Sequence, residues 1–181
     1  MTRLTIYAEG EPKRAVAQSS DGKEIAKLLE KGGIRFERWQ AHAALADDAG
    51  QDSILTAYRP EIDRLMTEGG YKTADVIRLK PDHPDRVALR EKFLNEHTHS
   101  EDEVRFFVEG AGAFYLHLDG QIHQIVCERN DLLSVPAGTR HWFDMGPQPL
   151  LTCVRIFTNP EGWVAQFTGD KISSRFPKYG E

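Results

Sequence analysis

Asp119-Gly120 stands between two strand-like runs, 114–118 (FYLHL) and 121–126 (QIHQIV). An Asp-Gly pair accepts positive φ at both central positions of a two-residue turn, so this stretch reads as a β-hairpin. The text after residue 100 continues in the same manner. Runs at 104–108, 132–135, 141–143 and 150–157 follow one another at short intervals with turn residues between them. Strands this regular suggest a small antiparallel barrel or a double-sheet jelly roll.

The first half of the chain has a different texture. Ser20-Asp21 can cap a helix through Leu29, which Gly32-Gly33 stops. Residues 34–39 alternate at period 2 and read as a strand. Residues 52–66 carry apolar side chains at 54, 55, 58, 62, 65 and 66, a helical face that Pro60 kinks or divides and Gly69-Gly70 ends. Residues 74–79 read as a strand, and Pro84-Asp85 opens a short helix through about Lys92. The expected class is mostly β with α. The chain of 181 residues is the size of one ordinary domain. The expected organisation is one domain over 1–181, an α-rich part at 1–92 packed on a β-barrel formed by 93–181.

Composition narrows the classes of function. Lys and Arg number 23 against 28 Asp and Glu, a formal charge of −5. That balance gives no electrostatic footprint for nucleic acid or an anionic membrane and favours a small-molecule partner. The start, MTRLTIYAEGEP, lacks the apolar stretch of a secretory signal, and no apolar run approaches the roughly 20 residues that span a bilayer. The expected location is the cytoplasm. Cys127 and Cys153 lie in separate apolar runs and form no CxxC unit, so two buried reduced thiols are expected. There is no GxSxG, no HExxH and no dinucleotide-binding glycine pattern.

The chemistry concentrates in two segments. His97-Thr-His99 places two imidazoles on one face of an extended chain, and Glu103, of the same parity, can turn its carboxylate the same way. Far downstream, Pro136-Ala-Gly138-Thr-Arg-His141 puts a third histidine just after a tight turn, at the start of a strand. An HxH alone is a weak signal and can be a solvated strand end. Two separated segments that fit one geometry point to a metal. Three imidazoles and a carboxylate suit Fe²⁺, Ni²⁺, Mn²⁺ or Co²⁺ at six coordination with two positions open. The absence of thiolate excludes a finger-type structural zinc site.

His97-x-His99-x3-Glu103-x6-Gly110 resembles the first motif of the cupins, and Pro136-x-Gly138-x2-His141 the second. Asn130 and Met145 depart from that pattern, which has Gly and Asn there. Asn tolerates positive φ better than most non-Gly residues, so the first change is mild. The longer runs HTHSEDEVRFFVEGAGAFYLH and DLLSVPAGTRHWFDMG resemble the acireductone dioxygenase family of methionine salvage. The resemblance implies a cupin-type barrel holding one Fe²⁺ or Ni²⁺ on His97, His99, Glu103 and His141. It implies 1,2-dihydroxy-3-keto-5-methylthiopentene and O₂ as substrates. With Fe²⁺ the implied products are formate and 4-methylthio-2-oxobutanoate; with Ni²⁺ they are 3-methylthiopropanoate, formate and carbon monoxide. Bacterial relatives suggest a monomer.

Several further residues are candidates. Arg105 interrupts an apolar strand and shares the parity of Glu103. It either offsets an anionic substrate or pairs with Glu103 or Asp102. The resemblance implies that it helps generate and hold the substrate dianion. Arg155, a second charge in an apolar strand, either binds substrate or pairs with a carboxylate at a barrel end. Phe93, Phe143 and Trp163 are candidates for an apolar wall around the methylthio tail, or plain core. The resemblance gives Glu96 and Asp102 roles in metal loading and in relaying conformational change; the residues themselves show only acids placed to orient their neighbours. His42 and His83 read as solvated. His117 and His123 straddle the hairpin turn and face opposite ways, so both are left out of the site. A different cupin enzyme and a non-catalytic small-molecule binder are the competing classes.

Overall fold

In the computed structural model, which describes residues 1–159 and 164–181, one strand is shared by two sheets. This is β6, Glu103–Leu118. Its first half pairs with β8 (Asp131–Val135) and β10 (Leu151–Phe157). Its second half pairs with β7 (Gln121–Glu128) and β9 (His141–Asp144). The two runs read separately at 104–108 and 114–118 are therefore one strand. Gly110 lies between its halves with φ +68°. A Cβ there would stand 1.8 Å from the Leu150 carbonyl oxygen, so only glycine lets β10 approach this closely. A register shift beside it reverses the parity, so Phe107 and Phe114 both reach the central core.

The first sheet runs β11-β5-β9-β6-β7-β1-β2, with β1 at Arg3–Ala8, β2 at Ala15–Ser19, β5 at His97–Thr98 and β11 at Gln166–Phe167. The second joins β4 (Thr73–Leu79) to β10, and β3 (Arg35–Arg38) to β8, around the first half of β6. The hairpin forms as expected. Asp119 and Gly120 both have positive φ, and Leu116 lies opposite His123, His117 opposite Ile122.

The α-rich description of 1–92 needs correction. The helices do lie there: α1 Gly22–Glu30, α2 Gln51–Ala57, α3 Arg59–Gly69 and, at its end, α4 Arg86–Phe93. Four strands lie there too, and each is woven into a sheet with strands from the second half. β1 pairs with β7, for example. The first residues are short and polar-flanked, which hides a strand whose burial comes from distant partners. Helix limits follow local chemistry. Asp21 caps α1 by accepting from the Glu24 N–H at 2.8 Å, a contact that typically contributes about 1 kcal/mol. Pro60, in the first turn of α3, divides the long helical pattern at Tyr58, and Gly70 ends it in the left-handed region.

Alternation along β6 assigns its faces. Val104, Phe106 and Val108 pack outward with Ile54, Tyr58, Ile62 and Leu65 of α2 and α3. Glu103, Arg105 and Phe107 consequently point the other way, toward the interior. There Leu4, Ile6, Phe114, Leu116, Ile125 and Leu133 form the central core. Cys127 and Cys153 are buried in that core as free thiols, and burial pushes Cys153 up to about 12. Among the described residues, no helix is long and apolar enough to cross a membrane.

His123 is also buried, level with Ile6 and Leu116, and its Nδ1 meets no hydrogen-bond partner among the described residues. Burial holds its imidazole below the ordinary histidine range. Below about pH 6.5 the unfolded chain then binds the extra proton while the folded one does not, so stability falls with pH through that window. His123→Leu removes this contribution. Its urea midpoint should drop less than that of the native protein between pH 7.5 and 5.5; an unchanged difference counts against the assignment.

Candidate metal centre

β5 and β9 are antiparallel neighbours in which His97 lies directly opposite His141. This pairing carries the downstream histidine to the first motif, and the two rings sit 4.5 Å apart. The turn before β9 is tied to the segment after β5. Gly138 N donates to the His99 carbonyl at 2.9 Å, and Ala137 N to Asp102 Oδ1 at 3.0 Å. Glu103 arrives by a different route from the one parity suggests. The chain bends at Ser100 and Glu101, and Glu103 enters as the first residue of β6, opposite Val135. All four side chains are buried, and their donor atoms lie within 4.8 Å of one another.

The hydrogen bonds around these donors test whether a metal fits. His97 Nδ1 is 2.7 Å from the Asn95 carbonyl and His141 Nδ1 is 2.8 Å from that of Thr139. A carbonyl only accepts, so both Nδ1 atoms carry a proton. In neutral rings the lone pairs then sit on Nε2. His141 Nε2 lies 2.9 Å and His99 Nε2 3.1 Å from the same oxygen, Glu103 Oε2. For His141, whose Nδ1 carries the proton, a neutral Nε2 facing that carboxylate oxygen is a pair of acceptors, which requires an added proton or a cation between them. Burial, together with His141, pushes His97 down to about 4. Burial would raise the Glu103 carboxyl, but Arg105 and the imidazoles of His141 and His99 hold it well below the usual carboxylate range. Three imidazoles and one carboxylate, buried and convergent, fit a divalent transition metal.

His97, His99 and Glu103 line a cavity of about 510 Å³. Phe93, Phe143, Arg105 and Arg155 line it too. Arg105 Nε donates to Glu103 Oε1 at 2.6 Å, and its guanidinium stacks over Phe143 at 4.9 Å and Phe114 at 5.3 Å. The pairing with Glu103 and the exposure to the cavity thus coexist. Arg155 is held by a carboxylate, Asp75, while still lining the cavity. Trp163 lies outside the described residues.

Glu96 is buried, with one oxygen 2.7 Å from His117 Nδ1 and the other accepting from Thr168 Oγ1 at 2.8 Å. Asp102 links Ala137 N to the Tyr71 hydroxyl, which donates at 3.3 Å. His42 is exposed as expected, whereas His83 is half-buried and accepts the Asp85 N–H beside α4.

Three neighbours of the centre escaped the sequence. The hairpin register keeps His117 from facing His123; in the structure it reaches Glu96 instead, a contact that depends on a loop packing beside the hairpin. Phe167 packs its ring on His97 at 5.9 Å through the two-residue β11, too short for a periodic signal. Asp75 is a charge inside an apolar strand, a signal that was present.

The ARD/ARD′ family model matches residues 3–165. The chain belongs to the ARD/ARD′ family. This ARD/ARD′ chain is 61% identical over 178 residues to the acireductone dioxygenase of a Synechococcus strain, covering 98% of both chains. It is 58% identical to that of Parvibaculum lavamentivorans over 179 residues, 99% of this chain and 97% of the relative. The solved acireductone dioxygenase from Bacillus anthracis, with a cadmium ion in its active center, superposes with a TM-score of 0.80 at 30% identity, over 92% of this chain and 98% of that one. The cupin-type expectation for the fold agrees with this likeness. Both ligand-bearing segments fall inside the matched ARD/ARD′ region; β11 lies beyond it.

Proposed function

We propose that this enzyme holds one Fe²⁺ or Ni²⁺ on His97, His99, Glu103 and His141 and cleaves acireductone with O₂. The observation that carries the reading is the meeting of three imidazoles and a carboxylate, of which His97, His99 and Glu103 line a cavity walled by Arg105. When bound, the metal supplies Lewis-acid charge and open positions for adjacent oxygens of the substrate's enediolate.

The residues of the chain prepare that chemistry. The Asn95 and Thr139 carbonyls fix two imidazoles with Nε2 turned to the centre. Arg105 fixes the Glu103 carboxylate through one oxygen and leaves the other toward the histidines. The same guanidinium lies on the cavity wall, where it lowers the cost of a substrate dianion in a buried site. Arg155 supplies a second positive charge. Phe93 and Phe143 form the apolar wall for the methylthio tail. Glu96 and Asp102 act behind the ligands. Glu96, the residue before His97, ties that segment to β6 through His117 and to Thr168, and Asp102 joins the two ligand segments, so both influence metal loading and the passage of local movement.

The Fe²⁺ form yields formate and 4-methylthio-2-oxobutanoate, and the Ni²⁺ form yields 3-methylthiopropanoate, formate and carbon monoxide. Nothing in a His₃Glu set is soft or geometrically exclusive, so both metals are accepted and availability decides occupancy. One apo preparation reconstituted with each metal should consume O₂ with acireductone, and only the Ni²⁺ sample should release carbon monoxide into the headspace. Identical product mixtures from the two samples would remove the metal's role in choosing the bond cleaved. Absence of O₂ consumption by both would remove the function itself.

A further inference from the structure

β10 lies between β4 and β6, and Arg155 on it faces charged residues on both sides. Its cross-strand partner on β6 is Arg105. Its cross-strand partner on β4 is Asp75. One row across three strands therefore reads Arg105, Arg155, Asp75, and all three side chains line the cavity. Two guanidinium groups at directly opposed positions repel each other unless each has a counter-charge. Glu103 serves Arg105 at 2.6 Å. Asp75 serves Arg155 through both carboxylate oxygens, one accepting from Nε at 2.7 Å and the other from Nη2.

We infer that Asp75 is a positioning residue for the reaction: it fixes the Arg155 guanidinium beside Arg105, so that the cavity presents two cations to one dianion. The inference rests on the functional reading above and adds a residue to it. A two-point carboxylate contact sets the plane of a guanidinium as well as its place, which a single hydrogen bond does not. The pair is open to the cavity, with side-chain exposures of 24% for Arg155 and 29% for Asp75. Ion pairs with that much solvent contact add little to stability, so its orientation of Arg155 is the larger consequence. The substrate carries oxygens on three consecutive carbons, and its dianion spreads charge over more than the one guanidinium of Arg105 can face. A second guanidinium in register with the first meets that spread.

The test is anaerobic titration of the metal-loaded protein with acireductone, alongside steady-state kinetics. The proteins are the native enzyme, Asp75→Asn, Arg155→Met and the double variant, each checked for metal content and thermal midpoint. Asp75→Asn should weaken binding and raise KM about tenfold, equivalent to about 1.4 kcal/mol, with kcat within about twofold. In the Arg155→Met background the same change should have no further effect. Asp75→Ser takes the place of the Asn variant if that protein folds poorly, under the same criteria. Native binding by Asp75→Asn, or an equal loss in both backgrounds, overturns the role of Asp75 alone. Native binding by Arg155→Met overturns Arg155 and Asp75 together. Failure of the fully metallated native protein to bind acireductone overturns the reading of the cavity on which both depend.

Discussion

Replacing His97 and His99 together by alanine should abolish both stoichiometric metal binding and O₂-dependent turnover, while the apo fold survives. The two side chains supply half of a donor set whose members come from β5, the bend after it, β6 and β9. These segments converge only in the folded chain, so metal binding and folding are linked. A metal present at about a thousand times its dissociation constant adds about 4 kcal/mol to stability. For a chain of this length that corresponds to a rise of roughly 10 °C in the thermal midpoint. The native protein should show that difference between its apo and loaded forms, and the double variant should not. Metal analysis by mass spectrometry and a pair of melting curves suffice. One metal per chain retained in the double variant would show that the ligands lie elsewhere.

Arg105→Met should lower turnover by a factor of about 100 or more, equivalent to about 2.7 kcal/mol or more of transition-state stabilisation. Methionine keeps most of the length and the contact with Phe143 and Phe114 while removing the charge. The guanidinium has two partners, the Glu103 carboxylate and the cavity, and the variant separates them. If Arg105 acts on the substrate, metal content stays near one per chain while turnover collapses. If it acts only by steadying Glu103, metal is lost in proportion to activity, and excess metal restores both.

Much of this arrangement could be read from residue order, for reasons visible in particular elements. The Asp119-Gly120 turn fixes its register locally, so the pairing of Leu116 with His123 followed from loop length alone. Asn130, standing where the cupin pattern has glycine, does take a positive φ of 85°. The four donors came together because strand starts and a tight turn are local signals. Contacts made between distant segments were not legible. β1 looked featureless because its burial is conferred by β7, and β6 looked like two strands because Gly110 bends it only where β10 crosses. The ties from Glu96 to His117 and Thr168 join residues whose separation gives no spacing to recognise.

The pairing of β1 with β7 has a consequence for how the protein is made. β1 leaves the ribosome well before β7, its inner neighbour, which is not synthesised until the chain has grown from Ala8 to Gln121. At about 5–20 residues per second that interval is on the order of ten seconds. During it β1 has only β2, its hairpin partner, to cover one edge. His141 emerges later still, so the donor set is complete only when about four-fifths of the chain is outside the ribosome. Metal loading therefore waits for the emergence of β9, and a nascent chain stalled before His141 should recruit holdase chaperones through β1 and carry no metal.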